Sequence, residues 1–359
     1  MESDNKLFLL DAYALIYRAY YAFIKNPRIN SKGFNTSAIL GFVNTLEEVL
    51  KKENPSHIGV AFDPSGPTFR HEAFEQYKAQ REETPEAIRL SVPIIKDIIH
   101  AYRIPILEVA GYEADDVIGT LATEAGRQGI TTYMMTPDKD YGQLVTDNVF
   151  MYRPKHTGGF EVMGIEEVKA KFDIQSPAQV IDMLGLMGDA SDNIPGCPGV
   201  GEKTAQKLIA EFGSIENLLE HTDQLKGAIR TKVETNKEMI AFSKFLATIR
   251  TDAPVTLDMD ELCVKEPDEE KLETLFEELE FRTLAERKFQ KKKTTEQPGL
   301  FQGSLFPEFA DNSPESPKYS NLAHYTKGKF DYQLIETRED RQRIIDLFLT
   351  NGFLSLDTE

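Results

Sequence analysis

The chain has 359 residues, of which 40% are hydrophobic and 28% are charged, and its formal net charge is −18. This composition is typical of a folded protein with about two or three domains and excludes a disordered chain. Two cysteines, Cys197 and Cys263, are too few for a disulfide framework or a cysteine-based zinc site, and no apolar run is long enough to span a membrane.

The acidic charge is concentrated in one segment. Between Asp258 and Arg282, eleven acidic residues oppose three basic ones, a net of −8. Net charge therefore does not exclude a nucleic-acid partner, because local basic patches would do the binding. The first residues lack a basic stretch ahead of an apolar core, so we predict no signal peptide and expect a cytoplasmic, monomeric protein.

Residues 1–175 alternate short apolar runs with amphipathic stretches. This alternation predicts an α/β domain with a mainly parallel sheet flanked by helices. The predicted strands are Lys6–Leu10, His57–Phe62, Ile104–Val109, Thr131–Thr136, Val149–Arg153 and Phe160–Met163. The predicted helices are Ser37–Lys52, Pro85–Tyr102 and Ala114–Gln128.

Beyond residue 175 the pattern changes to helices with short turns. Residues 176–289 predict an all-α subdomain. Residues 290–328 are rich in Pro, Gly, Ser and charge, which predicts a flexible linker. Periodic apolar pattern resumes in residues 329–359, and we expect this segment to be the truncated start of another domain.

Nine carboxylates follow the predicted strands and helices in five short clusters. They are Asp11, Asp63, Glu113, Asp115, Asp116, Asp138, Asp140, Asp189 and Asp192. The carboxyl ends of parallel strands share one edge of a sheet, where ligands bind. Carboxylates gathered there would repel one another unless a hard divalent cation such as Mg²⁺ or Mn²⁺ neutralised them. Such a site usually serves hydrolysis or transfer at a phosphate.

Each cluster taken alone has a simpler explanation. Helix capping accounts for one acid among Glu113, Asp115 and Asp116, though three are more than a cap needs. An Asx-turn accounts for Asp138 or Asp140 singly. The hypothesis of a metal site therefore depends on all five clusters together.

Two further segments carry features that suit phosphates. The hairpin with Gly199 and Gly201 opens into a helix bearing Lys203 and Lys207, so free backbone N–H groups lie at a helix N-terminus. The alternative is an ordinary tight turn between helices.

The second segment follows Asp63 and interleaves basic with aromatic residues. Its members are Phe69, Arg70, Phe74, Tyr77, Lys78 and Arg81, and Arg18 lies similarly after Asp11. Basic and aromatic side chains together favour single-stranded nucleic acid, through phosphate pairing and base stacking. A solvent-facing helix with a few core aromatics is the alternative.

These motifs, in this order and spacing, resemble the 5′-nuclease family found as the amino-terminal domain of bacterial DNA polymerase I. The segments that carry the resemblance are DAYALIYRAYYA, VAFDPSGPTFRHEAFEQYKAQR, GYEADDVIG, TPDKDYGQL and GDASDNIPGCPGVGEKTA. The resemblance implies a PIN-like α/β nuclease with a helical arch over its active site, followed by a helix–hairpin–helix.

The resemblance also implies roles for the named residues. The nine carboxylates would hold two Mg²⁺ or Mn²⁺ ions, and Lys78 and Arg81 would contact the scissile phosphate from the arch, with Tyr77 beside them. The helix–hairpin–helix would bind duplex DNA and could hold K⁺. The implied substrates are flapped DNA and RNA–DNA primers in the bacterial nucleoid. The alternatives are a non-catalytic DNA-binding protein and a ribonuclease with the same acidic site.

Two expectations concern the C-terminal residues. The segment from Phe330 resembles the opening of a 3′–5′ exonuclease domain, in which Asp357 and Glu359 would be metal ligands. Gln297–Phe301 and Gln302–Phe306 each resemble the short peptide that bacterial replication proteins insert into the sliding clamp. For these two repeats, packing of their Leu-Phe pairs on the protein itself is an equal alternative.

Overall fold

One six-stranded sheet organises the computed structural model, which describes residues 5–155 and 159–289. The strands are β1 (Lys6–Asp11), β2 (His57–Ala61), β3 (Ile106–Leu107), β4 (Thr131–Met135), β5 (Val149–Pro154) and β6 (Phe160–Met163). Their order is β3-β2-β1-β4-β5-β6, and all pairs are parallel except β5 with β6. The predicted class, a mainly parallel sheet flanked by helices, is confirmed.

The described residues also contain fourteen α-helices. They are α1 (Ala12–Ala22), α2 (Ser37–Glu48), α3 (Phe69–Ala73), α4 (Glu86–Ala101), α5 (Ala114–Arg127), α6 (Ile165–Phe172), α7 (Val180–Met187), α8 (Glu202–Phe212), α9 (Ile215–Glu220), α10 (Gly227–Thr235), α11 (Lys237–Ala247), α12 (Met259–Leu262), α13 (Glu269–Glu278) and α14 (Arg282–Phe289). None of these helices is long and apolar enough to cross a membrane.

The central strand β1 shows why the sheet is covered on both faces. Its residues Leu7 to Leu10 are all fully buried. Leu7 and Leu9 pack in a cluster with α5 and the helices that follow it, whereas Phe8 and Leu10 pack in a second cluster with α1, α2 and α4. Successive side chains of a strand point to opposite faces, so an uninterrupted apolar run requires helices on both sides.

Two predicted elements differ in extent from the observed ones. The predicted strand Ile104–Val109 is reduced to β3, two residues that pair with β2 at the edge of the sheet. The predicted helix Ser37–Lys52 ends as α2 at Glu48 and continues as a π-helical turn, Val49–Glu53. Asn54 then stops it in the left-handed conformation, a common end for a helix.

The C-terminal helices return to the α/β part of the molecule. Leu272, Phe276 and Leu284 are buried in the same cluster as Phe8 and Leu10. Backbone bonds reinforce this packing, among them Asp268 N–H to the Ala101 carbonyl at 2.7 Å. The sequence predicts one helical subdomain over residues 176–289, but α12–α14 pack on the sheet side instead. Amphipathic pattern shows that a helix has a buried face and does not show which core receives it.

Several predictions lie outside the described residues. They are the linker 290–328, the exonuclease-like segment 329–359 with Asp357 and Glu359, and both clamp-like repeats.

Phe276 is fully buried in the core cluster that also contains Phe8 and Leu10. Phe276→Ala should therefore lower the free energy of unfolding by about 3–5 kcal/mol. Urea denaturation followed by circular dichroism measures this. Met239→Ala, at a position 41% exposed on α11, is the control and should change stability by less than about 1 kcal/mol. Equal effects of the two substitutions would mean that the return of α13 contributes little.

Candidate metal centre

Three aspartates lie at the carboxyl ends of neighbouring parallel strands. Asp11 is the last residue of β1, Asp63 follows β2, and Asp138 follows β4. Since β2, β1 and β4 are adjacent in the sheet, their ends present these carboxylates along one edge. Asp63 also accepts a hydrogen bond from the backbone N–H of Ala114 at 2.7 Å, which fixes the start of α5 against the end of β2.

The first turn of α5 supplies the densest group of acids. One carboxylate oxygen from each of Glu113, Asp115 and Asp116 lies within 4.8 Å of the other two. Glu113 is the N-cap residue of α5, and it is 3% exposed. This is the one such group found among the described residues, and it lies beside the strand-end aspartates.

The carboxylate of Asp116 is already saturated with donors. One oxygen accepts from Arg70 Nη2 at 2.8 Å and from the Arg250 N–H at 2.8 Å. The other accepts from Arg70 Nη1 at 2.7 Å and from the Glu113 N–H at 3.1 Å. A carboxylate has about four lone-pair sites. Ligation by Asp116 stays a prediction, and it would require loss of one of these bonds.

Asp115 and Asp140 contrast with the well-bonded Asp116, because their surroundings favour the protonated form. Within the described part of the chain, one buried oxygen of the Asp140 carboxylate has no hydrogen-bond partner. Burial and then repulsion by Glu113 raise the pKa of Asp115 well above its usual value. Burial and then repulsion by Asp138 do the same to the pKa of Asp140. Unmet lone pairs on crowded acids are what a bound cation would satisfy.

The strand-end aspartates share this crowding. Burial, with repulsion by Asp63 next, raises the pKa of Asp11 to about 7, although Ala14 and Thr136 donate hydrogen bonds to it. Burial also raises the pKa values of Asp63 and Asp138. The donor set is therefore all oxygen, partly buried and short of positive charge, which fits a hard divalent ion.

Two other acids carry their own counter-charge. Burial opposes ionisation of Glu113, but Lys78 and Arg70 outweigh it and hold the pKa of Glu113 below its usual value. Lys78 Nζ lies 2.8 Å and Arg70 Nη1 3.0 Å from the Glu113 carboxylate. Burial likewise opposes ionisation of Asp189, yet its bond from Lys139 at 2.6 Å helps to lower its pKa.

The segment that carries the predicted arch cations lies against the loop of residues 189–193. Only α3 and α4 are helical there, and residues 74–81 between them form successive turns, so the predicted arch is not a continuous helix. Lys78 donates its backbone N–H to the Asp192 carbonyl at 3.0 Å. Arg81 binds the Asp192 carboxylate at 2.5 Å. These contacts bring Lys78 and Arg81 to two of the predicted metal ligands, Glu113 and Asp192.

The loop of residues 189–193 is itself held by a close turn. Asp189 and Ile194 exchange backbone hydrogen bonds of 2.9 and 2.8 Å. Gly196 has φ +64°, and a Cβ at this position would lie 2.3 Å from the Gly188 nitrogen. Only glycine permits this approach, which sets the direction in which Asp189 and Asp192 leave the helix α7.

Two residues predicted to contact DNA, Arg70 and Tyr77, are buried rather than exposed. Arg70 is 1% exposed and its guanidinium points to the acids of α5 rather than to solvent. Tyr77 is 3% exposed, and its hydroxyl, with one hydrogen to donate, lies 2.9 Å from the Glu113 carboxylate and 3.2 Å from that of Asp192. Neither can contact DNA in this conformation. Alternation of basic and aromatic residues does not distinguish a surface strip from a buried contact with acids.

The remaining DNA candidates lie elsewhere. Arg18 is partly buried on α1, and burial lowers the pKa of its guanidinium. Gly199 has φ +74°, and its carbonyl accepts from Lys232 at 3.0 Å. Gly201 is the N-cap residue of α8, on which Lys203 and Lys207 are exposed. The structure does not bring these residues into the carboxylate cluster.

Sequence reasoning missed two residues that contact the carboxylates. Lys139 binds Asp189, and the Thr136 hydroxyl binds Asp11 at 3.1 Å. Their place within TPDKD, beside predicted ligands, was the available signal. Which acid each of them meets depends on the strand order and could not be inferred from that motif.

Two family models match the chain. The N-terminal resolvase-like domain of 5′–3′ exonucleases matches residues 6–173, and their C-terminal SAM fold matches residues 175–270. The chain is 42% identical over 286 residues to DNA polymerase I of Bacillus caldotenax, covering 79% of this chain and 32% of the polymerase. It is 38% identical over 278 residues to a 5′–3′ exonuclease of Aquifex aeolicus, covering 77% of this chain and 93% of that protein.

Solved structures share the fold at low identity. The T5 5′-exonuclease with bound zinc aligns with a TM-score of 0.59 at 21% identity, covering 77% of this chain and all of that one. The catalytic core of Rad2 in complex with DNA substrate aligns with a TM-score of 0.53 at 18% identity, covering 77% of this chain and 88% of that one. At these identities the likeness is one of fold.

The matching family models define the class of the protein, a nuclease. The chain belongs to the 5′–3′ exonuclease family. It spans about a third of the length of the DNA polymerase I relatives that it matches.

Asp115→Asn should raise the melting temperature in EDTA at pH 8. An acid whose pKa is raised by folding destabilises the folded state once it ionises, so the gain should shrink as pH falls toward the unfolded-state pKa of about 4. Thermal unfolding at pH 8 and pH 5 measures both effects.

Asp97→Asn is the matched control for this experiment, since Asp97 is an exposed aspartate on α4, and it should change little. With Mg²⁺ present, wild type should gain more stability than Asp115→Asn. A variant less stable than wild type in EDTA would show that Asp115 makes favourable contacts of its own.

Proposed function

We propose that this chain hydrolyses phosphodiester bonds at 5′ ends and 5′ flaps of branched DNA, including RNA–DNA primers, with two divalent ions, Mg²⁺ or Mn²⁺. The observation that supports this best is the convergence of Asp11, Asp63 and Asp138 with the acids of α5. In the described part of the chain, one buried oxygen of Asp140 also has no hydrogen-bond partner. Relatives and structural neighbours that are 5′-nucleases, some of them solved with metal ions or DNA, add to that support.

In this proposal the carboxylates are shared between two ions. Asp63, Glu113 and Asp115 would hold the ion on the side of the attacking water. Asp140, Asp189 and Asp192 would hold the other. Bound ions of this kind lower the pKa of a water and stabilise the leaving 3′-oxygen.

Lys78 and Arg81 neutralise charge that develops on the phosphate in this proposal. Both are now paired with carboxylates, Lys78 with Glu113 and Arg81 with Asp192. Ions bound to the same acids would weaken these pairs and free both cations for the phosphate. A preorganised cation then stabilises the transition state more than the ground state.

In this proposal, the helical part of the protein binds duplex DNA. The Gly199–Gly201 turn opens into α8, whose Lys203 and Lys207 are exposed. Backbone N–H groups and lysines suit phosphates without reading base sequence. K⁺ at this turn, a sliding clamp for Gln302–Phe306, a monomeric state and a cytoplasmic location stay predictions from the sequence.

The proposed activity is tested with a 5′-labelled flap substrate. Wild type should release the flap in Mg²⁺ and not in EDTA, and Asp138→Ala should abolish release while flap binding in Ca²⁺ survives. Near-normal turnover of Asp138→Ala at ordinary Mg²⁺ would remove that residue from the centre. A wild-type chain that binds flaps but never cuts them would favour a non-catalytic DNA-binding protein.

Lys78→Ala or Arg81→Ala should lower the single-turnover cleavage rate by about 10²-fold, a loss of about 2.7 kcal/mol, with a smaller change in flap affinity. Lys96→Ala is the control. Lys96 is likewise paired with an acid, Glu108. Its side chain is 30% exposed, between the values for Lys78 (16%) and Arg81 (53%). If only the dissociation constant changes, both cations are phosphate anchors and do not act in the transition state.

A further inference from the structure

The most extensively bonded side chain at the site is that of Arg70. It is buried in α3 and all five of its N–H donors are used. Two bonds go to Asp116 and one to Glu113. The other two go to backbone carbonyls, Leu246 at 2.9 Å and Thr248 at 2.7 Å.

Arg70 and its partners belong to three parts of the chain. Arg70 follows β2, Asp116 and Glu113 open α5, and Leu246 and Thr248 lie at the end of α11. The separations in sequence are 43 and 46 residues to α5 and 176 and 178 residues to α11. One planar guanidinium therefore fixes the carboxylate-bearing turn of α5 against both the sheet and the helical part.

The bonds are directional in a way that no other basic side chain would reproduce. Arginine presents a rigid fork that matches the two oxygens of Asp116, whereas lysine has a single ammonium group. Asp116 in turn accepts hydrogen bonds from the backbone N–H groups of Glu113 and Arg250. It therefore links Arg70 to the backbone of the first turn of α5. The orientation of Glu113 and Asp115 follows from that turn.

We infer that Arg70, acting through Asp116, is a positioning residue that sets the divalent-ion affinity of the centre. It touches neither substrate nor reacting atoms in this role, and it replaces the DNA contact expected for it. Partners that orient metal ligands typically change metal affinity about 10–100-fold when they are altered. The inference rests on the proposed metal-dependent function.

Arg70→Lys keeps the charge and loses the fork, and it is the first variant. The Mg²⁺ concentration for half-maximal flap cleavage should rise about tenfold or more, and the single-turnover rate should recover at saturating Mg²⁺. Titration calorimetry with Mn²⁺ in the absence of DNA should show the same loss of affinity.

The matched control is Lys244→Met. Lys244 is a partly buried cation on α11 that binds Asp182 at 2.6 Å and Glu216 at 2.8 Å, away from the carboxylate cluster. Its removal should lower the unfolding midpoint and leave metal affinity within about twofold of wild type. This separates loss of stability from loss of ligand orientation.

If Arg70→Lys does not fold, Arg70→Gln replaces it, since the shorter amide loses most of the five bonds and leaves Asp116, itself a predicted ligand, unchanged. It should show the same shift in Mn²⁺ affinity. Unchanged Mn²⁺ affinity in the folded variant, or an equal shift in Lys244→Met, would overturn the inference. A wild-type chain that binds Mn²⁺ but does not cut flaps would defeat the proposed function and leave the calorimetric comparison decisive for Arg70.

Discussion

Crowding of like charge at one edge of the sheet is the constraint on which the rest of the site depends. Parallel strands deliver Asp11, Asp63 and Asp138 to the same edge, and the dipole of α5 favours the acids at its N-terminus. Without compensation such a group would protonate or destabilise the fold. Burial first, and repulsion by Glu113 or Asp138 second, raise the pKa values of Asp115 and Asp140 despite the nearby cations.

The compensation that does exist is distributed unevenly. Arg70 saturates Asp116, Lys78 and Arg70 bind Glu113, and Lys139 binds Asp189. The acids that remain without donors are those with oxygens free to bind an ion. A buried charge pair is a weak source of stability by itself, but it is an effective way to fix geometry. In the proposed centre, cations therefore fix the geometry of several acids, among them Glu113 and Asp189, that are also assigned to ions.

The compact arrangement of residues 74–81 follows from the same charges. Lys78 has φ +55°, an unfavourable conformation for a lysine, and its backbone and ammonium groups both contact acids or their loop. The attraction of Lys78 and Arg81 to Glu113 and Asp192 offsets that cost. Cations on the segment and acids below it thus hold each other in place before any ion or phosphate arrives.

The sequence alone determined the sheet, its strand limits within a few residues, and the edge at which the acids lie. Apolar runs of β1, β2 and β4, each followed by an aspartate, carry that information locally, because strand burial and side-chain alternation are properties of short segments. The helices of residues 176–247 and the glycine turn before α8 were likewise visible in the pattern.

Tertiary structure alone decided which acids are paired and where the distant segments pack. The basic and aromatic residues around Arg70 suggested a DNA contact. Its hydrogen-bond partners instead lie 43 to 178 residues away in the sequence. Helices α13 and α14 carry an ordinary amphipathic pattern, yet they pack in the core cluster of Phe8 and Leu10 rather than join the helical part. Both outcomes depend on which surfaces meet in the folded protein. The periodicity of a segment shows which of its residues are buried, but it does not identify a contact partner that is distant in sequence.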